Sequence, residues 1–170
     1  MFTKMLATLA FGVVLATSAP AQGYRIEPVI EGLDEPWGIG LLPDGGILIT
    51  ERDGRLILWR DGVRSDVRGV PRVAARGQGG LLDITVARDF AQTREVFLTY
   101  SKPQTGGGAG TALAIGRLSN NGQRLERVRD LFETRSGARG GRHFGSRVIE
   151  AADGTLWMTV GDRGDRGSAQ

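Results

Sequence analysis

The stretch PDGGILITERDGRLILWRDG, residues 43–62, contains three Asp-Gly dipeptides that begin nine and eight residues apart. Between them lie two short runs rich in Ile and Leu. An Asp-Gly pair between alternating apolar runs is a strong signal for a β-hairpin. The stretch therefore predicts an antiparallel meander, with strands at 36–42, 46–52, 55–60 and 63–69.

The next part of the chain predicts a second meander of the same kind. Short apolar segments are separated by Gly-rich turns or by an Asn-Asn-Gly turn, and they cover residues 81–87, 94–101, 111–119 and 124–134. The best helix candidate in the chain is 124–134, but its apolar pattern is short and uncapped. High glycine content with many short apolar runs is typical of an all-β protein.

The strand units resemble one another along the chain. In each, an Asp at a turn precedes a Thr near the end of the second strand: Asp44 and Thr50, Asp89 and Thr99, Asp153 and Thr159. The interval is roughly 45–65 residues, and four-stranded repeats of about this length are typical of a β-propeller. An open β-sandwich with accidental similarity is the alternative.

The repeats account for only about two and a half blades. Residues 36–69 and 81–134 form two complete units, and 143–160 form half of a third. A propeller closes with about four to eight blades. We therefore expect an N-terminal part of a longer propeller, in which residues 24–33 are a strand that pairs with the last blade.

The first 21 residues have the pattern of an export signal. Lys4 precedes an apolar run from Met5 to Ala16, and an Ala-Pro-Ala site follows at residues 19–21. The run is too short for a good membrane span, although a membrane anchor is the alternative. We expect a mature domain over residues 22–170, periplasmic or secreted, with no membrane span after cleavage.

Composition excludes some classes of function. The chain has no Cys, which rules out disulfides, thiolate metal sites and a lipid anchor on Cys. The net charge of +3 is spread along the chain, whereas nucleic-acid binding calls for clustered charge. We therefore expect no nucleic-acid partner, although GARGGR at 137–142 is similar to an RGG segment. Residues 163–165 spell Arg-Gly-Asp, a tripeptide that is common by chance.

His143 is the only histidine in the chain, and it lies in the stretch GARGGRHFGSRV, residues 137–148. From the residues alone it could be a catalytic base, a solvated histidine in a basic loop, or part of an Arg/Gly segment. An imidazole is the side chain best suited to accept a proton near neutral pH.

Three stretches in this order resemble one family: EPWGIGLLPDGGILITERDGRL, GQGGLLDITVARDF and HFGSRVIEAADGTLWMTVGDRGDRGSAQ. They are similar to the soluble quinoprotein glucose dehydrogenases, most of all to the periplasmic aldose sugar dehydrogenase branch. The resemblance implies a six-bladed propeller, pyrroloquinoline quinone (PQQ) and Ca²⁺. It also implies oxidation of an aldose at its anomeric carbon to a lactone, with an external electron acceptor.

The resemblance also implies roles for two residues. His143 matches the family's catalytic base, and Gln78 matches a position that contacts the sugar. Each lies just before the first strand of a predicted blade, so the two positions are equivalent in the repeat. Arg142 stands where the glucose dehydrogenase branch has Asp, which argues against strict glucose specificity.

Cofactor and metal ligands are less evident. Asp162 and Asp165 could bind Ca²⁺, but they lack the spacing of a known Ca²⁺ loop, and a turn is favoured. We assign no metal ligand here, and we expect the Ca²⁺ ligands and most PQQ contacts to follow Gln170. The 170-residue chain alone is then expected to be inactive. The alternatives are a non-catalytic propeller that binds carbohydrate or protein and a metal-dependent lactonase.

Overall fold

The computed structural model of the chain describes residues 24–135 and 137–168, and its regular structure is almost entirely antiparallel β-sheet. Two four-stranded sheets precede a two-stranded hairpin, and neighbouring strands follow chain order. The first sheet contains β1 (Pro36–Leu41), β2 (Ile47–Glu51), β3 (Leu56–Arg60) and β4 (Val63–Asp66). The second contains β5 (Leu81–Val86), β6 (Glu95–Pro103), β7 (Ala109–Leu118) and β8 (Leu125–Glu133). The hairpin contains β9 (Gly145–Glu150) and β10 (Leu156–Val160).

This arrangement confirms the two and a half propeller blades expected from the sequence. Each sheet is one blade, and the first strands β1, β5 and β9 of successive blades pack side by side. The predicted strand over 124–134 is β8, so the best helix candidate in the sequence is a strand.

The Asp-Gly turns form as predicted, and for a local reason. Asp44 Oδ1 accepts a hydrogen bond from the Gly46 backbone N–H at 3.1 Å, and Asp53 Oδ1 accepts from Arg55 N–H at 3.1 Å. Gly45 adopts φ +84° between β1 and β2, a conformation that L side chains rarely take. Short-range chemistry is therefore sufficient to close these hairpins.

The central strands of the second sheet, β6 and β7, are buried on both faces, which explains their apolar sequences. Along β6, Val96 and Leu98 join the main core with the first sheet, while Phe97 joins a smaller core with the β9–β10 hairpin. Side chains alternate across a strand, so neighbouring residues serve opposite cores. The outer face of the first blade and that of the hairpin carry exposed apolar side chains, among them Trp37, Ile39 and Trp157.

In the first two blades, the repeated threonine bonds both to the first strand of its own blade and to the first strand of the next blade. Thr99 Oγ1 accepts from Asp83 N–H of its own blade at 2.9 Å and donates to Ser146 O of the hairpin at 2.8 Å. Thr50 makes the same pair of contacts with Gly38 N–H and Leu82 O. An irregularity in the strand register lies at each site, so the hydroxyl accepts an N–H near the break in the ladder.

Two features differ from the expectations. Residues 24–33 were expected to form a strand paired with the last blade; that blade is not among the described residues, and here the segment forms no strand. The segment has no β-ladder partner there, and Tyr24 is 94% exposed. The connection between β5 and β6, where no helix was expected, contains a single helical turn, α1 (Phe90–Thr93), in which Phe90 is buried.

The predicted signal peptide, residues 1–21, lies outside the described residues. Within the described residues, no helix has the length and apolar character needed to cross a bilayer.

Candidate active site

Three loop segments meet at one end of the second and third blades. Gln78 lies three residues before β5, His143 lies two residues before β9, and Asp162 lies two residues after β10. The first two lie in the loops that precede the first strands of successive blades. The structure thus brings together the two residues singled out from the sequence and adds a third.

The two loops before β5 and β9 touch through their backbones. Gln78 N–H donates to Gly141 O at 2.7 Å. A Cβ on Gly77 would lie 2.3 Å from that same oxygen, and Gly77 has φ +59°. Glycine is therefore required at position 77 for both space and backbone conformation. The close approach holds Gln78 beside His143.

Gln78 is bound directly to His143. The His143 backbone N–H donates to Gln78 Oε1 at 2.8 Å. The amide must present its oxygen to an N–H donor, so its NH₂ group points elsewhere and remains a donor. Gln78 is exposed, and that NH₂ group is therefore accessible to a ligand.

Asp162 faces the His143 ring. His143 Nδ1 lies 2.6 Å from Asp162 Oδ1, and the side chains are 51% and 21% exposed. The same Oδ1 accepts from Gly164 N–H at 2.8 Å, so a tight turn orients the carboxylate. The Gly164 hydrogen bond, followed by the His143 contact, lowers the pKa of the Asp162 carboxyl below its usual value.

This pairing selects one tautomer of His143. Asp162 is ionised near neutral pH because its pKa is lowered, and a carboxylate can only accept hydrogen bonds. Nδ1 of a neutral His143 must therefore carry the proton. Nε2 then has a free lone pair, which is the arrangement required of a general base.

His143 itself has an unusual backbone. Its φ is +54°, in the left-handed region that costs a non-glycine residue about 1 kcal/mol or more. Contacts on the following segment hold it there. A Cβ on Gly161 would lie 2.1 Å from His143 O, so residue 161 must also be glycine for the two segments to approach.

The cavity directly beneath the loop that contains His143 is too small for a cofactor. The cavity beneath this loop, lined by residues that include Arg76, Gly141 and Phe144, holds about 10 Å³, close to the volume needed for one water molecule. That space does not fit a tricyclic quinone. Exposed Arg142, next to His143, is the group here that could pair with an anionic ligand.

No metal site is found among residues 24–135 and 137–168, where no three His, Cys, Asp or Glu side chains are grouped to hold an ion. Asp162 and Asp165 were weighed as Ca²⁺ ligands. Each instead accepts a hydrogen bond from a backbone N–H two residues further on, as in the favoured turn. Arg163 of the Arg-Gly-Asp tripeptide is buried, so this part of the motif is not displayed on the surface.

Sequence reasoning missed the pairing of Asp162 with His143. The residues are 19 positions apart, and no local spacing rule relates them. The available signal was the position of Asp162 just after the predicted second strand of a blade, at the same end as the residues that precede first strands.

The fold defines a β-propeller protein with a His-Asp pair at the end of its blades, and the comparisons with known proteins give the family. The glucose/sorbosone dehydrogenase family matches residues 33–170, so this chain belongs to that family. It is 40% identical over 156 residues to the aldose sugar dehydrogenase YliI of Escherichia coli, covering 90% of this chain and 42% of that protein.

Similar solved structures support the same family assignment. A glucose dehydrogenase has a TM-score of 0.81 and 42% identity, over 85% of this chain and 43% of that one. The PQQ-bound aldose sugar dehydrogenase from Streptomyces coelicolor has a TM-score of 0.73 and 25% identity, over 83% and 42%. The chain thus spans less than half the length of the relatives it matches. The family assignment and the propeller fold expected from the sequence are confirmed.

Proposed function

We propose that this chain carries the catalytic base and a substrate-binding amide of a PQQ-dependent aldose sugar dehydrogenase. The observation that carries the proposal is the 2.6 Å contact between His143 Nδ1 and Asp162, beside a Gln78 held by the His143 backbone. The membership of the family and the PQQ-bound relative support the class of reaction.

His143 takes the proton from the anomeric hydroxyl through Nε2. As the C1–H bond breaks with its electron pair, the C1–O bond becomes a carbonyl and the sugar becomes a lactone. Asp162 stabilises the imidazolium that forms. Base assistance of this kind contributes about 10²- to 10⁴-fold to the rate. PQQ, when bound, supplies the acceptor for the hydride.

Gln78 orients the sugar by donating a hydrogen bond from its side-chain NH₂ group. Its oxygen is occupied by the His143 N–H, so the free NH₂ group is the part that contacts a sugar hydroxyl oxygen. This assignment ties substrate and base together, because the amide that binds the sugar is fixed to the residue that deprotonates it.

The remaining parts of the enzyme lie outside the described residues in this proposal. Ca²⁺ and most PQQ contacts belong to blades that would cover the exposed apolar faces around Trp37 and Trp157. An external acceptor then reoxidises the cofactor. We also propose export to the periplasm or beyond, directed by residues 1–21.

The test is sugar-dependent dye reduction after addition of PQQ and Ca²⁺, measured for the whole protein and for the 170-residue chain. We expect turnover in the whole protein, its loss in His143→Gln, and no turnover in the 170-residue chain. Sugar binding without turnover in the loaded whole protein would instead identify a non-catalytic carbohydrate-binding propeller.

A further inference from the structure

Arg163 is an arginine buried directly behind the loop that contains His143. Only 6% of its surface is exposed, and its guanidinium carbon lies 3.3 Å from the centroid of the Phe144 ring. Its terminal nitrogens donate to Arg142 O and, at 3.2 Å, to Ala109 O at the start of β7. Its Nε has no hydrogen-bond partner among the described residues.

Burying this group is costly. A guanidinium loses its hydration in the interior, and two carbonyl contacts with one ring replace it only in part. Burial accordingly lowers the pKa of Arg163. An apolar side chain would avoid this cost, so the arginine must supply something that an apolar residue cannot.

The contacts of Arg163 bracket His143. Its guanidinium donates to the carbonyl of Arg142, which precedes His143, and covers the ring of Phe144, which follows His143. The Arg163 backbone N–H also donates to His143 O at 3.3 Å. The contact with Ala109 fastens this clamp to the second blade.

We propose that Arg163 is a positioning residue, which holds His143 in its left-handed conformation so that Nδ1 meets Asp162. The strained backbone conformation of His143, with φ +54°, persists only while the neighbouring residues are held in place. Without the clamp, the backbone returns to an ordinary conformation and the ring leaves the carboxylate. The importance of this role for catalysis rests on the proposed function, whereas the effect of Arg163 on the orientation of the His143 ring does not.

Lysine is a partial substitute. An ammonium group can reach one carbonyl, but it cannot bond two carbonyls in a fork while lying flat on an aromatic ring. Arg163→Lys should therefore weaken the clamp while keeping the charge, and Arg163→Met should remove both the charge and the hydrogen bonds.

The test measures the tautomer of His143 by long-range ¹H–¹⁵N correlation spectra, with a purification tag that contains no histidine. The signal is assigned by its absence in His143→Gln. We expect mainly the Nδ1–H form in the wild type. In Arg163→Met the ratio of Nδ1–H to Nε2–H should fall by about tenfold, as expected for loss of one charge-assisted hydrogen bond, and in Arg163→Lys by less.

Three variants serve as controls. Asp162→Asn removes the carboxylate and should also shift the ratio. Arg166→Met removes a nearby exposed charge, and Val148→Ala lowers stability in the hairpin core; both should leave the ratio unchanged.

A wild-type tautomer ratio in folded Arg163→Met and Arg163→Lys would overturn the proposal. Failure of both variants to fold would also overturn it, because Arg163 would then serve the fold as a whole. Sugar turnover is a separate readout. Its absence in the loaded wild type would refute the proposed function while leaving the tautomer result intact.

Discussion

The two interfaces between blades are built from different contacts. Between the first and second blades lies the main apolar core, in which leucines such as Leu48, Leu58 and Leu98 predominate. Between the second blade and the β9–β10 hairpin the apolar cluster is smaller, with Val148 as its only buried residue from β9.

Polar side chains of the second blade hold β9 instead. Hydroxyls of Thr85, Thr99 and Thr111 donate to successive alternate carbonyls, those of Val148, Ser146 and Phe144, at 2.7–2.8 Å. The buried carboxylate of Asp83 accepts from Val148 N–H at 2.8 Å and from Arg147 at 2.7 Å.

The difference teaches where stability and position come from. Apolar burial contributes much free energy but little direction, whereas hydrogen bonds require defined distances and angles. The interface built from hydrogen bonds is the one that holds β9, which begins only two residues after His143. We infer that the first interface mainly stabilises the fold and that the second mainly positions the loop that contains His143.

The largest expected effect is on activity. Under the proposed function, His143→Gln in the whole protein supplied with PQQ and Ca²⁺ should lower kcat/KM by about 10²- to 10⁴-fold, because the proposed general base is lost. Its denaturation midpoint should stay near that of the wild type, since the side chain is half exposed. Steady-state kinetics measure kcat/KM, and urea titration measures the denaturation midpoint. A large fall in stability would contradict the inference that the second interface mainly positions this loop rather than stabilising the fold.

The opposite result is expected in the first interface. Leu48→Ala removes a fully buried side chain from the main core and should cost about 2–5 kcal/mol of unfolding free energy. Chemical denaturation measures this cost. The His143 tautomer should be unchanged in the folded protein, and a shifted tautomer would show that the apolar interface also positions the loop.

The threonine contacts give an intermediate effect and an internal control. Thr99→Val leaves Asp83 N–H and Ser146 O without their partner inside the protein, which should cost about 1–3 kcal/mol. Thr159 is exposed and accepts only from Arg147 N–H, so Thr159→Val should cost about 0.5 kcal/mol or less. Equal costs in urea titrations would show that burial does not govern these contacts.

The smallest effect concerns pH. The pKa of Asp162 is lowered in the folded protein, so its contacts stabilise the fold above the unfolded pKa of about 3.9, and this stabilisation is lost as the pH falls through the folded pKa. The denaturation midpoints of wild type and Asp162→Asn should differ at pH 7 and converge below about pH 4. A difference that stays constant from pH 7 down to the lowest pH at which both proteins fold would exclude ionisation of Asp162 as its cause.

The sequence predicted the blades well because their signals are local. An Asp-Gly turn closes within four residues, and alternating apolar side chains specify which face of a strand is buried. The repeated threonines were visible as a spacing, although their contacts with the next blade were not. The strand expected at 24–33 stays a prediction, because a strand needs a neighbour and the last blade, with which it would pair, is not among the described residues.

Sequence alone therefore determined the all-β architecture, the blade repeat and the candidates His143 and Gln78. Only the tertiary structure decided that Gln78 binds His143 across 65 residues, that Asp162 meets its ring, and that Arg163 is buried behind it. Turns and strands depend on hydrogen bonds and side-chain periods within a few residues. The site depends on loops from two successive blades, which approach one another only when the blades have packed.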